Sequence, residues 1–264
     1  MADFTAKDVQ ALRQSTGAGM MDAKRALQEN DGDPAEAARW LREKGLSKSA
    51  ERAGRANEQG AVAVASDGSA AAVVELRSET DYVAKSPDFK ALAEQLAKAV
   101  VAEGDDAAAK RQDQIDNLKI TLKENIDLGR VVRFEAADGA VLDAYLHVQN
   151  DRGVNGVVVE VAGGDAALAH DIALHIAAMR PAWLSRDDVP PERVAAERAV
   201  LETLSRNEGK PEQALPKIVE GRLNGWFRDH CLLEQSFVKD PKQTITGLLG
   251  GATVTRFAQV EIGR

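Results

Sequence analysis

The stretch from Val73 to Lys85 constrains this chain more than any other. Val73-Val74-Glu75-Leu76 is rich in β-branched and aliphatic side chains and reads as a buried strand. The pattern then breaks into a polar turn, Arg77 to Asp81, before a second apolar pair, Tyr82-Val83. Ser86-Pro87 and a clear helical period follow. An aromatic side chain between a strand end and a helix start is carried on a rigid scaffold. Two readings are open: Tyr82 caps its own core, or it is displayed to a partner.

A chain of 264 residues can bury a sizeable core and is long enough for two or three compact units. Aromatic residues make up only 4% and alanine is abundant, which favours helices. The net charge is −8, with the acidity concentrated after residue 55, and this argues against a stable non-specific nucleic-acid surface. No apolar run is long enough to span a bilayer, and no secretory segment follows Met1, so no membrane association is expected. A single Cys231 cannot form an internal disulfide, which fits a reducing compartment and a cytoplasmic protein.

Residues 1–55 form a small helical module. Thr5-Ala6-Lys7-Asp8 has the shape of a capping box, with Val9, Leu12 and Arg13 at helical spacing behind it. Gly17 to Gly19 stops that helix. Met20 opens a second amphipathic run through Ala23, Ala26 and Leu27, closed by Asn30-Asp31-Gly32. Asp33-Pro34 starts a third helix, with Asp33 as N-cap and Ala37, Ala38, Trp40 and Leu41 facing inward. Adjacent Met20 and Met21 point to different sides of their helix, so at most one faces the core; flexible thioethers suit an adaptable contact surface.

Residues 43–58 read as a charged, glycine-punctuated connector. Beyond it, residues 56–140 begin with a hairpin, Ala61 to Ala65 and Ala70 to Leu76, around Asp67-Gly68. Amphipathic helices follow through Phe89, Leu92, Leu96 and Val100, then Ile115, Leu118 and Leu122. The plan repeats, with strands at Val131 to Phe134 and Val141 to Val148 flanking Asp138-Gly139. A strand at Val154 to Val161 and a helix from Asp165 to Met179 come next. Residues 141–264 make the last unit, closed by a strand from Thr253 to Ile262. Between about 190 and 228 the spacing of Val194, Leu201, Leu204, Leu215, Ile218, Leu223 and Trp226 predicts a projecting antiparallel helical hairpin. Pro216 requires its second arm to be kinked or to start late.

Catalytic constellations are thin. His147, His170, His175 and His230 lack metal-ligand spacing. His230 and Cys231 diverge as neighbours, and no nucleophile elbow is present. Gly17-Ala18-Gly19 is not a phosphate loop, because no strand precedes it and no Lys-Ser/Thr follows. No metal, no cofactor and no covalent chemistry are expected.

Leu12 to Leu27, with the core Thr16-Gly17-Ala18-Gly19-Met20-Met21-Asp22, resembles the N-terminal signature of the bacterial elongation factor Ts family. Glu75 to Lys85 resembles that family's Thr-Asp-Phe-Val loop, and Glu220-Gly221-Arg222 with Leu232 to Pro241 is similar to its C-terminal signature. The resemblance implies an α+β fold: a three-helix UBA-like module, two α+β subdomains with small antiparallel sheets, and a helical hairpin. It further implies a guanine-nucleotide exchange factor that binds elongation factor Tu in its nucleotide-free and GDP forms. On that pattern Thr80, Asp81, Tyr82 and Val83 form the loop that dislodges the partner's Mg²⁺, and Ile126 lines the same contact. Arg13, Met20 and Met21 grip the partner's nucleotide domain, His147 approaches its phosphate-binding loop, and Phe237 and Val238 reach another of its domains. Tyr82 stands where the family has Phe and Arg77 where it has Asn. A tyrosine hydroxyl buried without a partner costs about 1–3 kcal/mol, so Tyr82 must reach water or an acceptor. Competing readings are a non-catalytic or chaperone-like scaffold, and a small-molecule hydrolase using Asp81 and His147.

Overall fold

Two strands in this chain are buried along most of their length, and the architecture follows from giving each of them cover on both faces. The computed structural model describes residues 4–263. Gln59–Ser66 (β1), Ala70–Ser78 (β2) and Asp127–Glu135 (β3) form an antiparallel sheet in the order β1-β2-β3. Ala140–Gln149 (β4), Arg152–Ala162 (β5) and Thr253–Glu261 (β8) form a second, in the order β4-β5-β8. Ala61, Ala63, Ala72, Val74 and Leu76 pack outward against Pro87–Glu103 (α5) and Gln112–Leu122 (α6). Val62, Ala71 and Val73 on the opposite face meet Val158, Leu142, Ala144 and Val260 of the second sheet. The outer face of that sheet, Val157, Val159 and Val161, is covered by Ala166–Met179 (α7). The body is therefore helix, sheet, sheet, helix. At Gly156 the sheets approach so closely that an added Cβ would lie 2.6 Å from Val62 Cγ1 and 2.8 Å from Val73 Cγ1.

The hairpin expected between Val131–Phe134 and Val141–Val148 does not form. The first of these strands pairs with β2 and the second with β5, so Asp138-Gly139 carries the chain from one sheet to the other. The hairpin around Asp67-Gly68 does form: Asp67 Oδ1 accepts the amides of Ser69 and Ala70 at 2.9 and 2.8 Å, and Gly68 holds φ 89°.

Each central strand carries one buried carboxylate into the space between the sheets. Glu75 is opposite Val62 and Glu160 is opposite Leu142. Each also sits where the register to the outer strand slips. Glu75 is bound by the Arg77 guanidinium at 3.0 Å and the Arg130 amide at 2.8 Å. Glu160 is bound by Arg256 at 2.9 Å, Thr255 at 2.5 Å and the Ala137 amide at 3.1 Å. A bulge leaves a ladder group unpaired, and at β3 the Glu75 carboxylate supplies the acceptor for the freed Arg130 amide.

The N-terminal helices are Ala6–Thr16 (α1), Met20–Glu29 (α2) and Pro34–Ala50 (α3). The Thr5/Asp8 capping box and the left-handed Gly17 cap are present, and Asp33 caps α3. Their core is Val9, Leu12, Ala23, Ala26, Leu27, Ala37 and Leu41. The connector expected from residue 43 is replaced by the last turns of α3, which run on as helix and lie against α6. An added Cβ at Gly45 would meet Ile120 Cγ2 at 2.7 Å, so only glycine permits this approach.

Pro191–Asn207 (α8) and Leu215–His230 (α9) form the antiparallel hairpin, rooted on Trp183, Val189, Trp226 and Phe227. Pro216 lies in the first turn of α9, where its missing amide costs nothing. Ser236–Phe237 (β6) and Asp240–Thr244 (β7) form a small ribbon before β8, and Ile245–Leu249 (α10) follows it. Among the described residues no helix is long and apolar enough to cross a membrane.

Burial works to raise the Glu160 pKa, but Arg256, Thr255 and the Ala137 amide together hold it below the ordinary 4.5. Its stabilisation is therefore present above that value and is lost as pH falls through the lower folded one. Glu160→Gln should destabilise the protein by about 1–3 kcal/mol near neutral pH. It should also flatten the loss of stability in acid, read from urea midpoints along a pH series.

Candidate functional site

Asp81–Ala84 (α4) is a single helical turn inserted between β2 and α5. Adjacent helical residues diverge by about 100° around the axis. Val83 and Ala84 are buried in the core beneath the first sheet, so Tyr82 is forced outward and is 83% exposed. The reading in which Tyr82 caps its own core is excluded.

The turn is clamped from both sides. Thr80 caps it by accepting the Val83 amide at 3.3 Å, and donates its own amide and hydroxyl to Glu124 at 3.1 and 2.6 Å. The Ser78 hydroxyl donates to the Thr80 carbonyl at 3.0 Å. Glu79 accepts the Asn125 amide at 2.7 Å and pairs with Arg55 at 3.4 Å. The Asn125 side chain donates to the Arg55 carbonyl at 2.8 Å. Asp81 is exposed and bound to Lys85 at 2.5 Å; that hydrogen bond, with the lysine's charge, holds its carboxyl below the usual range. Of the four loop residues, Asp81 and Tyr82 face outward freely, Thr80 is occupied by its clamp, and Val83 is the anchor.

Ile126 is fully buried, and its side chain packs in the core below the loop rather than lining a contact surface. It follows Glu124 and Asn125, so burying it fixes the residues that grip the loop. Phe237 is likewise buried, against Ile172, Ile176 and Leu232, because β6 turns alternate side chains inward and outward. Val238 is the outward one, 41% exposed.

His147 is exposed at the far end of β4, where the register slips. Its Nδ1 lies 3.4 Å from the Tyr145 hydroxyl. Beside it Val148, which the sequence reading did not select, is 57% exposed. The turn beyond is Asn150-Asp151, both residues left-handed at φ 50° and 64°. Two such residues between paired strands are the signature of a tight hairpin, and that signal marks where the strand leaves the sheet. Lys90 binds Asp151, and Arg152 donates to the Gly60 carbonyl at 2.6 Å and Gln59 Oε1 at 2.9 Å. Gln59 and Gly60 pair with Ser78 and Arg77, so this hairpin end lies at the same end of the body as Tyr82. The structure pairs Asp81 with Lys85 and His147 with Tyr145, not with each other. Among the described residues no group of His, Cys, Asp and Glu is placed to hold a metal.

In the N-terminal module Arg13 is exposed, Met20 is 47% exposed and Met21 75%. Both methionines open α2, ahead of its buried face. Gly17, just before them, packs against Thr121 near the end of α6, and Glu124 just beyond holds Thr80. One helix end thus connects the methionines to the Tyr82 turn.

Tyr82 and Val238 are thus exposed on short turns, Val148 at a strand end and Met20 and Met21 at the start of a helix. The family model for Elongation factor TS matches residues 79–264. Elongation factor Ts of Mycobacterium tuberculosis (strain ATCC 25177 / H37Ra) is 49% identical over the full length of both chains. That of Acidothermus cellulolyticus is 44% identical, also over both full lengths. The chain belongs to the elongation factor Ts family. Membership carries a role in translation elongation.

Tyr82→Ala should leave stability within about 0.5 kcal/mol of the parent, as expected for an exposed side chain. Val83→Ala should cost about 1–2 kcal/mol, since it opens the core. Thermal melting of the two variants side by side checks the assignment of one residue as display and the other as anchor.

Proposed function

We propose that this chain is a guanine-nucleotide exchange factor that promotes GDP release from elongation factor Tu by disrupting its Mg²⁺ and phosphate site. The observation that carries the reading is Tyr82, a large aromatic held out in solvent on a turn tied down at every neighbouring residue. A turn whose backbone is ordered before encounter loses little entropy on binding, and an aromatic anchor entering a pocket is a characteristic hot spot.

A GTPase holds its diphosphate through backbone amides, a lysine and Mg²⁺. An exchange factor acts by differential binding. It favours the nucleotide-free form over the GDP form, and linkage then weakens GDP by the same factor. Equal affinity for both would shift nothing. Tyr82 enters between the elements that order Mg²⁺, and Asp81 makes a polar contact at the mouth of the pocket. His147, with Val148 beside it, approaches the phosphate-binding loop. Arg13, Met20 and Met21, on a UBA-like module, grip the nucleotide domain. Val238 reaches another domain and fixes orientation, while Ile126 and Phe237 support the contact from within. The exchange takes place in the cytoplasm.

Release of a fluorescent GDP analogue from elongation factor Tu tests this directly. The chain should accelerate it, and Tyr82→Ala should remove about tenfold or more of the acceleration, the loss of roughly 1–3 kcal/mol of coupling. Tyr82→Phe should retain it. Binding without acceleration by the parent chain would identify a scaffold instead. Met20→Ala with Met21→Ala should weaken association about tenfold while leaving the melting temperature unchanged, measured by titration and calorimetry.

A further inference from the structure

His175 lies on α7 and is the only one of the four histidines that is fully buried among the described residues. Both of its ring nitrogens are engaged, and the hydrogen-bond directions can be followed from one fixed end. The Asp229 carbonyl can only accept, and Gln235 Nε2 donates to it at 2.9 Å. That fixes the Gln235 amide, so Gln235 Oε1 faces His175 Nε2 at 2.9 Å as an acceptor. His175 Nε2 therefore carries the proton. Nδ1 is left with a lone pair, and it accepts the Val238 amide at 3.2 Å. Burial holds the imidazole below its ordinary value of 6.5 and so keeps it neutral.

The Val238 turn has little else to hold it. The β6–β7 ribbon pairs Ser236 with Thr244 and Phe237 with Asp240, with a register slip between the two pairs. Val238 and Lys239 are the turn between them. Each is bound to α7, Lys239 to Asp171 at 2.6 Å and Val238 to His175 one helical turn further on. The His175 ring lies 6.0 Å from Phe237, so the same side chain packs the inward residue and fixes the outward one.

We infer that neutral, Nε2-protonated His175 is a positioning residue that holds Val238 in the orientation the partner reads, which rests on the exchange-factor reading above. A doubly protonated imidazole, or the neutral tautomer with its proton on Nδ1, would set a donor against the Val238 amide and release the turn.

The test uses the full chain with His175→Asn, His175→Gln and Val238→Ala. Asn places its oxygen where Nδ1 was and keeps the Val238 bond; Gln reaches toward Gln235 and loses it. Val238 amide exchange should stay slow in the parent and in His175→Asn and become fast in His175→Gln. Association with nucleotide-free elongation factor Tu should be within about twofold of the parent for Asn and about five- to tenfold weaker for Gln, one hydrogen bond's worth; for Val238→Ala it should be about tenfold weaker, through the two methyl groups no longer buried against the partner. Imidazole nitrogen shifts of the parent should show protonated Nε2 and bare Nδ1. A proton on Nδ1 in the parent overturns the inference, as does full affinity in His175→Gln beside a weakened Val238→Ala. Failure of the parent to accelerate GDP release overturns the exchange reading itself and is visible without any variant.

Discussion

Two three-stranded sheets bury their inner faces against each other, and everything functional in this molecule hangs on that contact. A single three-stranded sheet backed by two helices is a small unit with one open face, and an open apolar face is a liability. Apposition removes it for both sheets at once. It also explains why β2 and β5 are buried on both faces along most of their length, whereas a sheet wet on one side would alternate. The tolerance is narrow, since Gly156 leaves no room for even a methyl group between the layers.

That rigidity is what the outward-facing residues draw on. Tyr82 and Val238 sit on short turns and Val148 at a strand end beside one, and each turn is tied back to a neighbouring element: Thr80 to Glu124, Arg152 to the start of β1, Val238 to His175. Each of these ties is worth about 1–3 kcal/mol at most in isolation. Their effect is to remove backbone alternatives, so each exposed apolar side chain leaves from a fixed point on the body.

Much of this was legible in the sequence. Caps at Thr5 and Asp33, the helix starting at Asp165, the late start of α9 at Pro216, and the closing strand all follow from local chemistry and are found in place. The side-by-side pairing of strands was not legible, because period-two patterning says which face is apolar and nothing about which strand lies alongside. Asp138-Gly139 has the composition of a hairpin turn and serves as a crossover. The continuation of α3 past Gly45 was hidden for a related reason: glycine reads as a break in isolation, and only the neighbouring Ile120 shows that it is a contact. At the site, Tyr82, His147 and the methionines were selected by resemblance and are exposed, whereas Ile126 and Phe237 were selected the same way and are interior. Motif matching identifies a segment; the alternation of the backbone decides which of its residues looks out.

The seating of Gly17 on Thr121, three residues before the carboxylate that grips Thr80, has one more implication. It sets the spacing between the methionine pair and the tyrosine during folding, before any encounter. On the exchange-factor reading, a partner captured at one of these points would meet the other at a high effective concentration, so two modest grips would multiply without a further loss of translational freedom. The molecule would then act as a caliper whose jaws are set in advance, with its selectivity in the gap as much as in the tips.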